Sequence, residues 1–512
     1  MTRSFDIAVL GASLGGVRAA RAACSRGLRV YLCEETRWIG GQLTSQAVPP
    51  DEHPWIEEQG APRSYLDFRR AVREAFLRDP ELTDAARAER DINPGSAWVS
   101  RLAHDPRISL RLLEASLADF IASGLLTLET ETRCTAAETA GDRVTAVLVE
   151  RAGGIRERIE AAFFLDATDT GELLPLTGTE YRAGAEGREE TGEPHAPEIP
   201  DPEDQQPVTW VAALELTKER EPMEKPAGYE DFRRRIVRGV PQLGWEAVGA
   251  HGLTRFAMMD NTPGAFPSGL WTYRRIQDPS RFRVPRPEIS LLNWPQNDYV
   301  FGGILDSPRA AEHLEEARLL TRCCAWWLWE QGWPVRLRGD VVGTEDGLAM
   351  APYIRESRRI VARKTMTEQE IAKNYAPFPL RRRDSIGVGH YAIDLHVTTR
   401  SRTAFFEETH PFEIPLGALI PVRMRNLLPA CKNIGATHLT GGCFREHPVE
   451  WSIGEAAGFL AAFCLKTGLE PAETAEKALP EFQTLLESEG FQLHWREPAV
   501  NPKETETEGE AT

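Results

Sequence analysis

The chain has 512 residues, 41% hydrophobic and 27% charged, with a net charge of −17; the length favours two or three domains and the balance is that of a globular protein. So negative a chain repels polyanions, which argues against nucleic acid and anionic membrane surfaces as partners. The eight cysteines are scattered without a C-x-x-C spacing, which argues against iron–sulfur or thiolate–zinc sites and suits a reducing compartment. With no signal peptide or membrane span in evidence, the expectation is a cytoplasmic protein without a metal.

The first predicted element is a short buried strand, "FDIAVL". "GASLGG", residues 11 to 16, follows as a glycine turn, and "GVRAARAACSRG" is a helix that Gly27 is placed to end. "LRVYLCEE" is a second strand closing on Glu34 and Glu35. The turn reads G-x-S-x-x-G, with Ser13 where the dinucleotide fingerprint has its second glycine. On its own it is as easily a packing turn. The strand, helix, second strand and terminal acid favour a dinucleotide site. In that role Gly11 permits the tight turn, Ser13 lets backbone approach a pyrophosphate, and Gly16 lets helix and strand pack closely. The helix N-terminus attracts phosphate, and Glu34 accepts hydrogen bonds from ribose hydroxyls and disfavours a 2′-phosphate.

Residues 60 to 125 are expected to be helical, and three strands to follow from 125 to 165, ending in "FFLDAT". "DATDTGELLPLTG", 166 to 178, is a polar turn closing a buried strand. Residues 184 to 207 read as a long loop. A second domain over 208 to 400 holds most of the tryptophans, expected as core. Three polar stretches stand out there: "LLNWPQNDY", "PYIRESRRI" with Arg355, and "GVGHYAIDLH". On a strand, His390, Asp394 and His396 share one side, as an acid/base cluster or a hydrogen-bonded structural trio. "NLLPACKNIGATHLTGGCFREHPVEWSIGEAAG" then reads as a strand, a polar glycine-rich loop and a helix with Pro448 at its first turn.

Three segments, 5 to 46, 161 to 178 and 426 to 465, resemble in order the two-domain FAD-dependent oxidoreductases of the glutathione-reductase-like class. Two positions depart from that pattern: Asp169 follows the Asp-Ala-Thr where the family has glycine, and Cys431-Lys432 replaces a glycine and a charged residue. The resemblance implies an α/β fold: a doubly wound parallel-sheet FAD-binding domain with an interrupting α+β substrate domain. The first part is expected at 1–178 with a helical insert at 60–125, the substrate domain at 179–415, the return at 416–500 and a disordered tail at 501–512.

The resemblance also implies the FAD contacts. Gly11, Ser13, Gly15 and Gly16 form the pyrophosphate turn, and Glu34 and Glu35 stand at the ribose. Gly40, Gly41, Gln42 and Leu43 lead toward the flavin, and Ala167 and Thr168 pass the cofactor. Asn433 or Ile434 meets the ribityl chain, and Pro448 and Val449 bring a helix N-terminus to the ring. The implied function is oxidation of a small organic substrate by hydride transfer to the flavin. His396, His438 and His447 are the candidate acid/base residues, and Arg355 and Arg445 the charge stabilisers. The arginines suggest an anionic substrate group or are structural; oligomeric state is not readable. Two other functions fit the same residues: an NAD(P)H-dependent flavin monooxygenase, and a non-catalytic FAD-binding or redox-sensing protein.

Overall fold

The computed structural model describes residues 2–496; the tail expected at 501–512 lies outside them. The apolar runs "IAVL", "VYLC" and "FFL" have no polar alternation, and the structure buries them on both faces of one sheet, as parallel strands require. That sheet has seven strands: β1 (Thr2–Leu10), β2 (Val30–Cys33), β3 (Leu126–Glu129), β4 (Thr132–Ala140), β5 (Arg143–Arg151), β6 (Ile155–Asp166) and a C-terminal strand, Leu427–Pro429. The order is β3-β2-β1-β6-β5-β4, and Leu427–Pro429 joins β6. β3, β2, β1, β6 and the C-terminal strand run parallel.

β6 serves two purposes along its length. Its first half pairs antiparallel with β5 from Ile155 to Glu160, and its last three residues pair with Leu427–Pro429. The chain therefore returns to the middle of the sheet after more than 250 residues. One expectation needs correcting: the stretch from 125 to 166 holds four strands, not three. Leu126–Glu129 extends the parallel sheet beside β2, and Glu131, with φ of +52°, turns the chain into the β4–β5–β6 meander.

Helix α1 (Leu14–Cys24) connects β1 to β2. Helices α2 (Arg63–Leu77), α3 (Asp84–Ala88) and α4 (Pro106–Ala122) fill the expected helical insert. Between 208 and 350 a separate antiparallel sheet is built from β7 (Ala212–Leu216), β8 (Arg275–Gln277), β9 (Glu288–Leu292) and β10 (Val335–Leu337), in the order β8-β9-β7-β10. Helix α5 (Ala310–Glu330) covers it, and Trp271, Trp294 and Trp327 are core residues there, as their composition suggested. The molecule is thus α/β, with a parallel-sheet core interrupted by a mixed α and β region.

After a short strand β11 (Ile393–Leu395) and the returning strand, now β12 (Leu427–Pro429), come helices α6 (His438–Phe444) and α7 (His447–Thr467). The glycine-rich stretch expected as loop contains α6, because Thr437 caps it: its hydroxyl accepts from Thr440 N while Thr440 reaches back to Thr437 N. Helix α7 is buried on all sides through Ala462, the signature of a core helix. It lies directly on α1: a Cβ on Gly454 would fall 2.1 Å from Gly15 O, and one on Gly458 would fall 2.3 Å from Ala19 O. This glycine pair, four residues apart, sets the helix spacing.

Candidate functional site

The cleft lies at the carboxyl ends of β1, β2 and β6, where a doubly wound sheet binds its ligand. It has a volume of about 210 Å³, and Gly11, Glu34, Glu35, Ala167, Thr168 and Asp169 line it. Gly11 has φ of +90°, and a Cβ there would stand 2.5 Å from Ala167 O, so only glycine lets the β1 turn pass the end of β6. Ser13 caps α1, its hydroxyl oxygen accepting from Gly16 N at 3.3 Å. Gly40 and Gly41 lie against this turn. Gly40 N donates to Ala12 O at 2.7 Å, and a Cβ on Gly41 would be 3.1 Å from Ser13 Cα.

Glu34 is buried, and its carboxylate accepts from Ala12 N (2.9 Å), Thr36 N (3.0 Å) and the Thr36 hydroxyl (2.8 Å). Burial raises it to about 7 despite these bonds. Two lone pairs on each oxygen leave it able to accept further. Asp166 fastens the β6 turn by accepting from Thr168 and Leu173, and burial raises it to about 6. Glu35 is exposed at the mouth.

Several residues of the expected cofactor set also bond or pack within the protein. Gly15 N donates to Glu450 at 3.1 Å, and a Cβ on Gly15 would sit 1.9 Å from Ala430 O. Gly15 therefore serves the junction of α1, β12 and α7. Asn433 clamps the same junction: its Nδ2 donates to Asp166 O at 3.0 Å and its Oδ1 accepts from Cys431 N at 3.2 Å. Leu43, Ile434 and Val449 belong to the hydrophobic core, and Pro448 occupies the first turn of α7. Gln42 donates to Glu450 and to Arg445 O, and Lys432 pairs with Asp169 and, at 3.5 Å, with Glu450. Among the described residues, the buried Oε1 atoms of Gln42 and Gln46 have no hydrogen-bond partner. A buried unpaired acceptor is costly in free energy, so these two oxygens fit a ligand that donates to them.

At the N-terminus of α7 charged side chains gather. Arg445 donates to Tyr353 Oη at 2.6 Å and to Asp394 at 3.3 Å; Arg274 holds Asp51 through two bonds of 3.0 and 3.1 Å. Burial raises Glu446 to about 8, so this carboxyl keeps its proton at neutral pH. The ligating atoms of Asp51, Glu446 and His447 fall within 4.8 Å of one another, and two guanidinium groups already supply positive charge there. His447 Nδ1 accepts from Asp51 N at 3.0 Å. Burial holds its ring near 4, so it is neutral and its proton sits on Nε2, which lacks a partner among the described residues. His447 is thereby arranged as a donor, the acid side of the acid/base role, with its lone pair already used.

His396 is arranged the opposite way. Its Nδ1 lies 2.6 Å from Asp298 Oδ2 and its Nε2 3.7 Å from Asp394. Asp298 also meets Thr209 and, at 3.0 Å, Arg355; although burial opposes it, Arg355 and His396 hold its carboxyl well below the usual range. An ionised Asp298 accepts from Nδ1 and orients the ring, so that Nε2 faces Asp394 and the cavity. Arg355, Asp298, His396, Asp394, Arg445 and Tyr353 form one continuous network, so three of the five sequence candidates are joined. His396, Asp298 and Asp394 also line a second cavity of about 220 Å³.

His438 stands in another network: its Nδ1 lies 3.0 Å from Glu356, which also pairs with Arg359. Despite burial, Glu356 raises His438, and His438 and Arg359 hold Glu356 at about 2. His438 is thus half of an ion pair. His390 leaves the expected trio: the chain bends after Gly389, the strand alternation is lost, and the ring packs 4.9 Å from Trp55.

Sequence reasoning missed Asp51, Arg274, Tyr353 and Glu450. Asp51 and Arg274 are 223 positions apart, and nothing local to either signals the pair. Tyr353 is the second residue of the singled-out "PYIRESRRI", and an aromatic hydroxyl beside that arginine cluster is the available signal.

A parallel sheet with a glycine turn, a capped helix N-terminus and an acid at the end of β2 defines a dinucleotide-binding protein. The model of the FAD dependent oxidoreductase family matches residues 6–486, and the chain belongs to that family, with FAD as its cofactor. No curated protein matches the sequence. Among solved structures, the chain is similar to a geranylgeranyl bacteriochlorophyll reductase-like protein from Thermoplasma acidophilum at 10% identity and a TM-score of 0.35, covering 96% of this chain and 86% of that one. It is similar to the myxobacterial chondrochloren halogenase CndH at 13% identity and a TM-score of 0.35, covering 99% and 89%. Similarity to an L-proline dehydrogenase from P. horikoshii, at 14% identity and a TM-score of 0.18, spans 36% of this chain and 24% of that one. Among the described residues no helix is long and apolar enough to cross a membrane.

Proposed function

We propose that the protein oxidises a small organic substrate held against His396, with FAD in the cleft at the ends of β1, β2 and β6. The observation that carries this reading is the 2.6 Å contact between His396 and a buried, arginine-paired Asp298 at a cavity wall. Bound FAD supplies a two-electron acceptor. Gly11, Ser13, Glu34 and Thr168 would hold its nucleotide half, and the free amide oxygens of Gln42 and Gln46 would accept hydrogen bonds from it. His396 Nε2 takes the proton from the substrate's O–H or N–H group, while Asp298 keeps the ring oriented and stabilises the imidazolium that forms. Arg355 keeps Asp298 charged. Arg445 and the N-terminus of α7 place positive charge where negative charge develops. His447 Nε2 donates.

The test is anaerobic reduction of the FAD-loaded protein by a panel of alcohols and amines, comparing wild type with His396→Gln. The variant is expected to keep FAD and to lose on the order of 10²–10⁴ in reduction rate, the usual contribution of a positioned base. An unchanged rate removes His396 from the chemistry.

A further inference from the structure

The 220 Å³ cavity in front of His396 has a mixed lining. Val237, Val240, Val248, Phe256 and Phe406 supply apolar surface, interspersed with Gln242, Glu246, His251, Thr254 and Gln296. Asp298, Asp394 and His396 form its most strongly polar wall. The charged side chains lining it are Glu246, Asp298 and Asp394, all acidic; among the described residues no lysine or arginine does so. Arg355 and Arg445 stand behind the two aspartates, each with a side chain only 3% exposed. The arginines that suggested an anionic substrate are therefore committed to carboxylates, and the charged groups facing the cavity are carboxylates, which accept.

From this lining we infer that the cavity binds a primary amine carrying an apolar, ring-sized body, its ammonium group directed at Asp394 and His396. The inference rests on the reading of this cavity as the substrate site and narrows its substrate class. The size follows from volume: an engineered apolar cavity of about 150 Å³ takes up benzene, so 220 Å³ accepts a ring and a short tail. The charge follows from donor count. An ammonium brings three N–H donors and a positive charge to a lining whose charged groups are all carboxylates, an alcohol brings one donor, and a carboxylate brings none and meets like charge.

The experiment is calorimetric titration of the FAD-loaded protein with 2-phenylethylamine, 2-phenylethanol and phenylacetate. The amine is expected to bind about tenfold tighter than the alcohol and at least a hundredfold tighter than phenylacetate. Asp394→Asn should erase the preference of amine over alcohol. Val248→Trp and Ala250→Trp, which fill the cavity, should each weaken amine binding at least tenfold, with FAD content and melting temperature verifying the fold. Phenylacetate binding as tightly as the amine, no amine binding at all, or cavity-filling variants that bind normally would overturn the inference. Flavin absorbance, followed anaerobically in the same samples, separates the two proposals. Amine binding without bleaching supports the cavity's ligand class and removes the proposed oxidation. Bleaching by a panel alcohol, with no amine bound, keeps the oxidation and overturns the ligand class.

Discussion

Replacing Gly454 with alanine tests the helix contact on which the cofactor turn depends. The new Cβ would fall 2.1 Å from Gly15 O and 2.3 Å from Gly15 Cα. Ordinary contact begins near 3.4 Å, so α1 and α7 must separate by about 1 Å. Both obstructing atoms are backbone, which no rotamer change relieves. Overpacking of this kind costs about 3 kcal/mol, and the better helix propensity of alanine returns about 1 kcal/mol. The net loss of about 2 kcal/mol corresponds to a melting temperature lower by roughly 2–4 °C in a chain of this length. Because the displaced backbone is Gly15, at the N-terminus of α1, FAD affinity should fall as well. Gly441→Ala is the matched control: its position in α6 has nothing within 4 Å, so the melting temperature should hold or rise. Thermal unfolding and FAD titration of the two variants decide the matter. Equal melting temperatures would refute the argument that glycine sets the spacing.

At the turn, Ser13→Gly should keep FAD and lose only a few tenths of a kcal/mol of capping, whereas Ser13→Leu should lose FAD because Gly41 occupies the adjacent space; FAD retained by the leucine variant contradicts this placement. Arg274→Met strands the Asp51 charge in the interior and should destabilise by about 3–5 kcal/mol, with Asp51→Leu added in the same chain restoring much of it; denaturant melts read both. For pH, burial holds Glu34, Asp166, Glu193 and Glu446 at about 7, 6, 7 and 8. The folded chain keeps these protons where the unfolded chain releases them near 4, so their contribution is full below that pH and is lost as pH rises through 6 to 8. Burial holds His53, His104, His390 and His447 at about 3 to 4, which opposes the fall below the ordinary histidine range, so the melting temperature of the FAD-free protein should fall from pH 7 to pH 9, and Glu446→Gln should flatten that fall; a rising profile there contradicts the assignment.

What the sequence disclosed follows the range of the interactions. The β1–α1–β2 unit was legible because its signals are local: an apolar run, a glycine turn, an alanine-rich helix and an acid within about 25 residues. The pairing of β12 with β6 followed only from resemblance, since no short-range pattern tells "NLLPA" where to insert. The shared motif marks Gly15 as part of the pyrophosphate turn; that Ala430, 415 positions away, leaves no room for a side chain there is a tertiary fact. Helix α6 was hidden because Gly441-Gly442 looks like loop, yet Gly442 is there to let Asp394 N approach its Cβ position to 2.9 Å. His396 and Arg355 were singled out for their polar surroundings. Their joining through Asp298, 98 and 57 positions distant, is a tertiary fact. The same holds for His447, whose partner Asp51 N determines which ring nitrogen keeps the proton.

The most direct test is anaerobic stopped-flow reduction of FAD-loaded wild type and His396→Gln with whichever panel substrate bleaches the flavin. The account predicts that both proteins carry FAD, that wild type bleaches, and that the variant does so at least a hundredfold more slowly. A wild-type protein that takes up no FAD on reconstitution, or a variant that bleaches at the wild-type rate, would contradict it.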